Sequence, residues 1–190
     1  MRVAPEELRR LDLRVHTLLA DVPLHDVWAV DLGGPPGRTI LDLKKALAGE
    51  NLAAANPAVR LLFAFRWWLG RVLGWDRDRA GTAETSYLHR LTAEDRQGSL
   101  VAPGTKEGPF TVLLVSEREA ISEIQNATVH GFSVFALDER PPGYRLYWAI
   151  YVKPVGPLTR AYMLLIDPFR RFIVYPAVLR RIEAAWERLR

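Results

Sequence analysis

The 190-residue chain contains no cysteine. Disulfides and thiolate metal sites are therefore excluded, and a reducing, cytoplasmic setting is the expected one. Histidine is scarce: His16, His25, His89 and His130 are scattered, with no His-x-x-x-His or His-x-Glu pairing. No metal site is expected from such spacing. Long apolar runs are also missing. The longest, around Ala161–Ile166, has about six residues, against the ~20 that a membrane span needs. Met1–Arg14 is charged and lacks the apolar core of a signal segment. No Gly-x-Ser-x-Gly nucleophile turn occurs. Gly33-Gly34-Pro35-Pro36-Gly37 has neither the Lys-Ser/Thr ending nor the glycine spacing of a phosphate-binding loop. No cofactor is expected. Asp26 and Asp31 fall on opposite faces of an extended strand and make a poor catalytic carboxylate pair.

What is present suits one domain over residues 1–190, with a helical insertion and a long loop at about 39–109. The net charge is +4. From Pro157 onward there are seven Arg against Asp167, Glu183 and Glu187, while the remainder balances at 19 basic and 19 acidic. The whole excess thus sits on the last segment. A solvated outer face with cations near a helix C-terminus accounts for it. A patch for an acidic partner or a membrane surface is the alternative. Nucleic acid is not expected, because no recognition-helix motif accompanies the modest charge.

That last segment, Pro157–Arg190, reads as one long amphipathic helix. Leu158, Tyr162, Leu165, Phe169, Phe172, Ile173, Leu179, Ile182, Trp186 and Leu189 recur at steps of mostly three and four. Pro168 and Pro176 predict a bend or break near each. Upstream, Pro5–Leu19 reads as a helix and His25–Leu32 as a strand with Trp28 and Val30 inward. Thr39 and Asp42 make a capping box for a helix ending near Gly49. Asn56-Pro57 opens a very apolar helix with Trp67 and Trp68, read as buried, as a contact with a second copy or a membrane surface, or as a lid over an apolar cavity. A short helix is expected over Thr85–Arg96, then a Gly/Pro loop. Phe110–Ser116, Ala120–Thr128, Val129–Leu137 and Tyr144–Lys153 are the strands, the last two joined by Pro141-Pro142-Gly143. Consecutive strands with short connections form an antiparallel meander, and strands followed by helix give an α+β class.

The segment from Ala161 to Pro176, with Tyr162, then Pro168-Phe169 and a basic residue, an apolar run, Leu179 and Arg180-Arg181, resembles the C-terminal signature of a bacterial family, the domain of unknown function number twenty-eight sixty-seven. The order of elements looks like the helix-grip fold of the START-like (SRPBCC) superfamily. The resemblance covers Phe110–Arg190 most strongly. It implies an antiparallel sheet curled around the long C-terminal helix, helices inserted after the first strand, and a cavity between sheet and helix. It implies no activity. The family pattern has Phe-His where this chain has Phe169-Arg170, so no histidine role carries over there.

Within such a cavity the expected ligand contacts are Asn126, Thr128 and His130, placed on one strand face opposite Glu123 and Gln125, with Tyr147 and Tyr151 on one face of the last strand. A solvated edge or a satisfied core histidine is the plainer reading of that set. The expected function is binding of a small hydrophobic molecule. Two alternatives stand beside it. One is a cyclase, dehydratase or hydrolase with His130 as acid–base. The other is an interaction module that uses the Trp-rich and Arg-rich helices in a homodimer or on a membrane surface.

Overall fold

The computed structural model of the chain describes residues 1–47, 86–125, 130–154 and 167–189. The Trp67-Trp68 helix and the expected helix start at Pro157 lie outside the described residues. Among those described, six strands form one antiparallel sheet in the order β1-β6-β5-β4-β3-β2. They are β1 (Leu24–Gly33), β2 (Lys106–Glu107), β3 (Phe110–Val115), β4 (Glu119–Gln125), β5 (His130–Arg140) and β6 (Gly143–Lys153). The meander β2–β6 follows directly from consecutive strands with short turns. The first strand then closes onto the last, with Trp28 opposite Trp148 and Val30 opposite Leu146.

Both faces of this sheet are apolar, because β5 and β6 carry large side chains at odd and even positions alike. Leu146 and Trp148 point one way, Tyr147 and Ala149 the other. Each face is accordingly covered. On one, the C-terminal helix α5 (Tyr175–Glu187) buries Tyr175, Val178, Leu179, Ile182 and Trp186 against Leu146 and Trp148, with Ile40 and Leu43 of α3 (Ile40–Leu47) alongside. On the other, Leu8 of α1 (Pro5–Arg9), Leu18 of α2 (Val15–Leu18) and Tyr87 of a 3-10 turn (Tyr87–Arg90) pack on Val27, Phe132 and Tyr147. The expectation that β1 turns Trp28 and Val30 inward is corrected to a strand buried on both faces. Val27 and Ala29 are buried in the N-terminal layer, and Trp28 and Val30 are half-buried on the helix face.

Several expected elements split where a tertiary contact replaces a local one. Pro5–Leu19 is two short helices, because Glu119 of β4 accepts from the Arg14 and Val15 amides (2.7 and 3.2 Å) and starts a new turn there. Of the helix expected over Thr85–Arg96, the described part, from Ser86 on, is the 3-10 turn followed by α4 (Ala93–Gly98), which Thr92 and Asp95 cap reciprocally. The Thr39–Asp42 capping box forms as expected, with Thr39 N donating to Asp42 over 2.9 Å. Between Pro168 and Pro176 the helix widens into a π-turn (Arg170–Val174), in which Tyr175 N donates to Arg170 O, five residues back. Pro176 has no amide hydrogen, so the ordinary bond to Phe172 O cannot form and the wider turn takes its place. No helix among the described residues is long and apolar enough to cross a membrane.

Candidate functional site at the start of the C-terminal helix

Of the sequence-predicted residues, His130, Tyr147 and Tyr151 fall on the sheet face turned away from the C-terminal helix. Asn126 and Thr128 lie outside the described residues. His130 is buried and opens β5, directly across from Gln125. The chain reverses between these two residues, so Glu123, Gln125 and His130 share one face. The expected placement of Glu123 and Gln125 opposite His130 assumed a single extended strand and is corrected. Glu123 accepts from His130 Nε2 (3.1 Å), Tyr87 N (3.0 Å) and Ser86 Oγ. The His130 ring lies against Tyr87 and Phe132, with centroids 5.2 and 4.5 Å away. Tyr147 is sealed in the N-terminal layer, its hydroxyl accepting from Arg140 over 2.8 Å. Burial, only partly offset by Arg140 and Arg145, raises that hydroxyl above the usual tyrosine value. Tyr151 borders an open cleft of about 630 Å³ with Arg9, His16, Leu19, Asp21 and Pro23, and burial pushes its hydroxyl up to about 12. A cavity between sheet and C-terminal helix cannot use His130, Tyr147 or Tyr151, because all three point into the other layer.

The helix face carries a different cluster. In β1, Leu24 pairs with Tyr151 but Asp26 pairs with Ile150, so His25 is the extra residue of a bulge. A bulge breaks the two-residue alternation, and His25 and Asp26 both reach the start of the C-terminal helix. There His25 Nε2 donates to Asp167 over 2.9 Å and lies 3.5 Å from Asp26. Arg170 and Arg171 contact Asp167 at 3.2 and 3.5 Å, and Arg171 lies 3.8 Å from Asp26. Arg2 reaches Asp26 from the N-terminal strand residues that pair along β1, at 3.2 Å. Arg170 also donates to the Tyr175 hydroxyl, whose ring sits 5.0 Å from both Trp28 and Trp148. Burial there raises the hydroxyl far above the usual tyrosine value.

The Asp26 side chain is fully buried, yet neither of its oxygens accepts a hydrogen bond. Its charged neighbours are near enough for ion pairing but not aligned to donate. Trp28 Nε1 and Arg171 Nε are likewise buried without an acceptor. Each such group costs about 1–3 kcal/mol relative to a satisfied one. His25, Asp26 and Asp167 also bring one ligand atom each within 4.8 Å of one another, a spacing a cation can bridge. The neighbouring cations oppose that use. Three guanidiniums, from Arg2, Arg170 and Arg171, already contact the two carboxylates, so a dication would compete with them for the same oxygens.

Periodicity hid this cluster, since strict alternation puts His25 and Asp26 on opposite faces. Two signals were nonetheless present. Asp26 stands on the same strand face as Trp28, Val30 and Leu32, a carboxylate in an apolar row. Asp167, Arg170 and Arg171 lie inside the C-terminal signature.

Fold and site together define an α+β protein with a polar cluster buried between an antiparallel sheet and its C-terminal helix. The chain belongs to the family described as "Protein of unknown function (DUF2867)", which matches residues 18–177 and so spans His25, Asp26, Trp28, Asp167, Arg171 and Tyr175. No curated protein and no solved structure matches the chain.

Proposed function

We propose that this protein binds a small, largely hydrophobic molecule between the sheet and the C-terminal helix, with the molecule's polar end at Asp26. One observation carries the reading: Asp26, Trp28 and Arg171 present a buried acceptor and two buried donors with no hydrogen-bond partner. Native structures rarely leave such groups unsatisfied without a use for them. The wall beside them suits an apolar body, since Trp28, Phe135 and Ile150 on this face are only half-buried by the described helices. A mostly apolar lining with a few convergent polar groups is the usual make-up of a small-molecule site.

The same reading extends to the fold. The strand order, with β1 closed onto the last strand of the meander and the C-terminal helix laid on one face, supports a START-like helix grip in which the sheet curls around that helix. The absence of cysteine supports a cytoplasmic setting. The test is native mass spectrometry of protein purified without detergent, followed by extraction of any bound small molecule. A stoichiometric adduct that disappears in Trp28→Ala is the expected result. Retention of the adduct in that variant would place the ligand elsewhere, with the Tyr151 cleft as the next location to probe.

A second reading has its own support. Phe172 is 81 % exposed on the π-turn and Phe169 40 %, beside an arginine-rich helix, as a membrane-surface contact requires. Binding to anionic vesicles that weakens with salt and with Phe172→Glu would support it. No binding at low salt would remove it.

A further inference from the structure

We infer that the open cleft beside Tyr151 is a second binding site, for an organic monocarboxylate with a short apolar body. It does not rest on the Asp26 reading, because Tyr151 belongs to the N-terminal layer on the opposite face of the sheet. The cleft holds about 630 Å³, within the range of small-molecule sites. Tyr151 borders it and is 6 % exposed, yet its hydroxyl makes no hydrogen bond to any described residue. A buried hydroxyl needs a partner, and the cleft is where one can enter. Burial pushes this hydroxyl up to about 12, so at neutral pH it keeps its proton and can donate. An incoming group therefore has an acceptor to offer.

The other polar residues of the cleft say which acceptor. Arg9 lines it too, and its charge acts on the Tyr151 hydroxyl against the effect of burial. Its ion pair with Glu6, at 3.4 Å, joins two side chains that are each more than half exposed. Water competes for such a pair, and Glu6 can be exchanged for another carboxylate at little cost. A carboxylate is also the group a guanidinium pairs with best. Asp21 offers nothing to a cationic ligand, since Arg90 (2.5 and 2.9 Å) and Tyr87 (3.1 Å) already hold both of its oxygens. His16 commits Nε2 as a donor to Leu11 O over 3.0 Å. A phosphate dianion would bring a second charge for which the described lining holds no free guanidinium. Leu19, Val22, Pro23 and Leu24 supply the apolar wall, so the carboxylate should carry an apolar body.

Isothermal titration of the full chain with four matched compounds tests this: 3-phenylpropanoate, 3-phenylpropan-1-ol, 3-phenylpropylamine and 3-phenylpropyl phosphate. The expected result is that phenylpropanoate binds at least about tenfold more tightly than each of the other three, the scale of one charge-assisted hydrogen bond. Arg9→Gln then abolishes the preference over the alcohol, and Tyr151→Phe weakens phenylpropanoate by about tenfold while keeping the buried ring. Trp28→Ala, on the other face of the sheet, leaves its affinity unchanged. Far-UV circular dichroism checks that the variants fold, and the exposed Arg9 gives one that does not depend on tolerance of a core change. Equal affinity for the alcohol overturns the inference, as does tighter binding of the amine or the phosphate. Binding that survives both cleft variants and is lost in Trp28→Ala overturns it as well, and supports the Asp26 site instead. Binding of none of the four compounds overturns the cleft and leaves the Asp26 reading to its own test.

Discussion

Glu119 and Glu123 stand four residues apart on one face of β4, and each holds the start of a short helical segment of the N-terminal layer. Glu119 receives the Arg14 and Val15 amides, Glu123 the Tyr87 amide, the Ser86 hydroxyl and His130. Their titrations differ in sign. Burial raises Glu119, and its two amide bonds only partly offset that. Burial also raises Glu123, but the bonds from His130, Ser86 and Tyr87 outweigh it, and its carboxyl titrates below the ordinary value of 4.5. A carboxyl lowered in the folded state contributes stability that is present above its unfolded value and lost as pH falls through the folded one. Glu123→Gln should therefore cost about 1–3 kcal/mol at neutral pH and flatten the loss of stability below that ordinary value. Urea titrations of both proteins across pH 3–7 read this out, and an unchanged acid limb would show that Glu123 is not the group responsible. Asp26 predicts the opposite effect. Its carboxylate is buried without a hydrogen bond, so Asp26→Asn should raise the stability of the ligand-free protein by about 1 kcal/mol while weakening ligand binding. A lower melting temperature in that variant would mean that the Arg2 ion pair outweighs the burial cost.

At the scale of elements, two irregularities build the site. The bulge at His25 puts two consecutive residues of β1 on the helix side. The π-turn Arg170–Val174 adds a residue to the helix, and one extra residue turns everything upstream by about 100° relative to Tyr175. Arg170 and Arg171 meet Asp167 as its i+3 and i+4 helical neighbours, and the extra residue sets the direction of that group relative to Tyr175. Pro176→Ala restores an amide at the position that an ordinary helix would bond to Phe172 O. Hydrogen exchange over residues 170–176 is expected to slow in this variant, and affinity for the bound molecule to fall by about tenfold. Exchange that stays at wild-type rates would show that tertiary contacts, and not the proline, hold the wide turn.

At the scale of the whole molecule, one sheet serves two cores. Trp186 anchors the helix side: its Nε1 donates to Gly33 O over 2.6 Å and its ring meets Tyr144 edge-on at 5.3 Å. Phe132 anchors the other side, 1 % exposed against Tyr87. Trp186→Ala and Phe132→Ala should each remove about 3–5 kcal/mol. Because every strand but the exposed β2 contributes to both cores, each variant should still unfold in a single transition, with tryptophan fluorescence and circular dichroism superimposing. Separate transitions would mean that one layer can leave while the other persists.

The class of fold was legible in the chain. Meander strands, their short turns, the Thr39–Asp42 cap and the amphipathic Tyr175–Glu187 stretch are all local patterns, set by periods of two and 3.6 and by turn chemistry. The C-terminal signature carried the family in the same way, as a run of neighbouring residues. What local pattern could not supply was partnership across distance. That Glu119 starts a helix 105 residues earlier in the chain, that the reversal before His130 returns it to the side of Glu123, and that a one-residue bulge sets His25 and Asp26 before Asp167, 142 residues beyond His25, are decided only when the sheet closes and both of its faces are covered. Alternation predicts where a side chain points only while the strand stays regular, and the residues of this site gather where the regularity breaks.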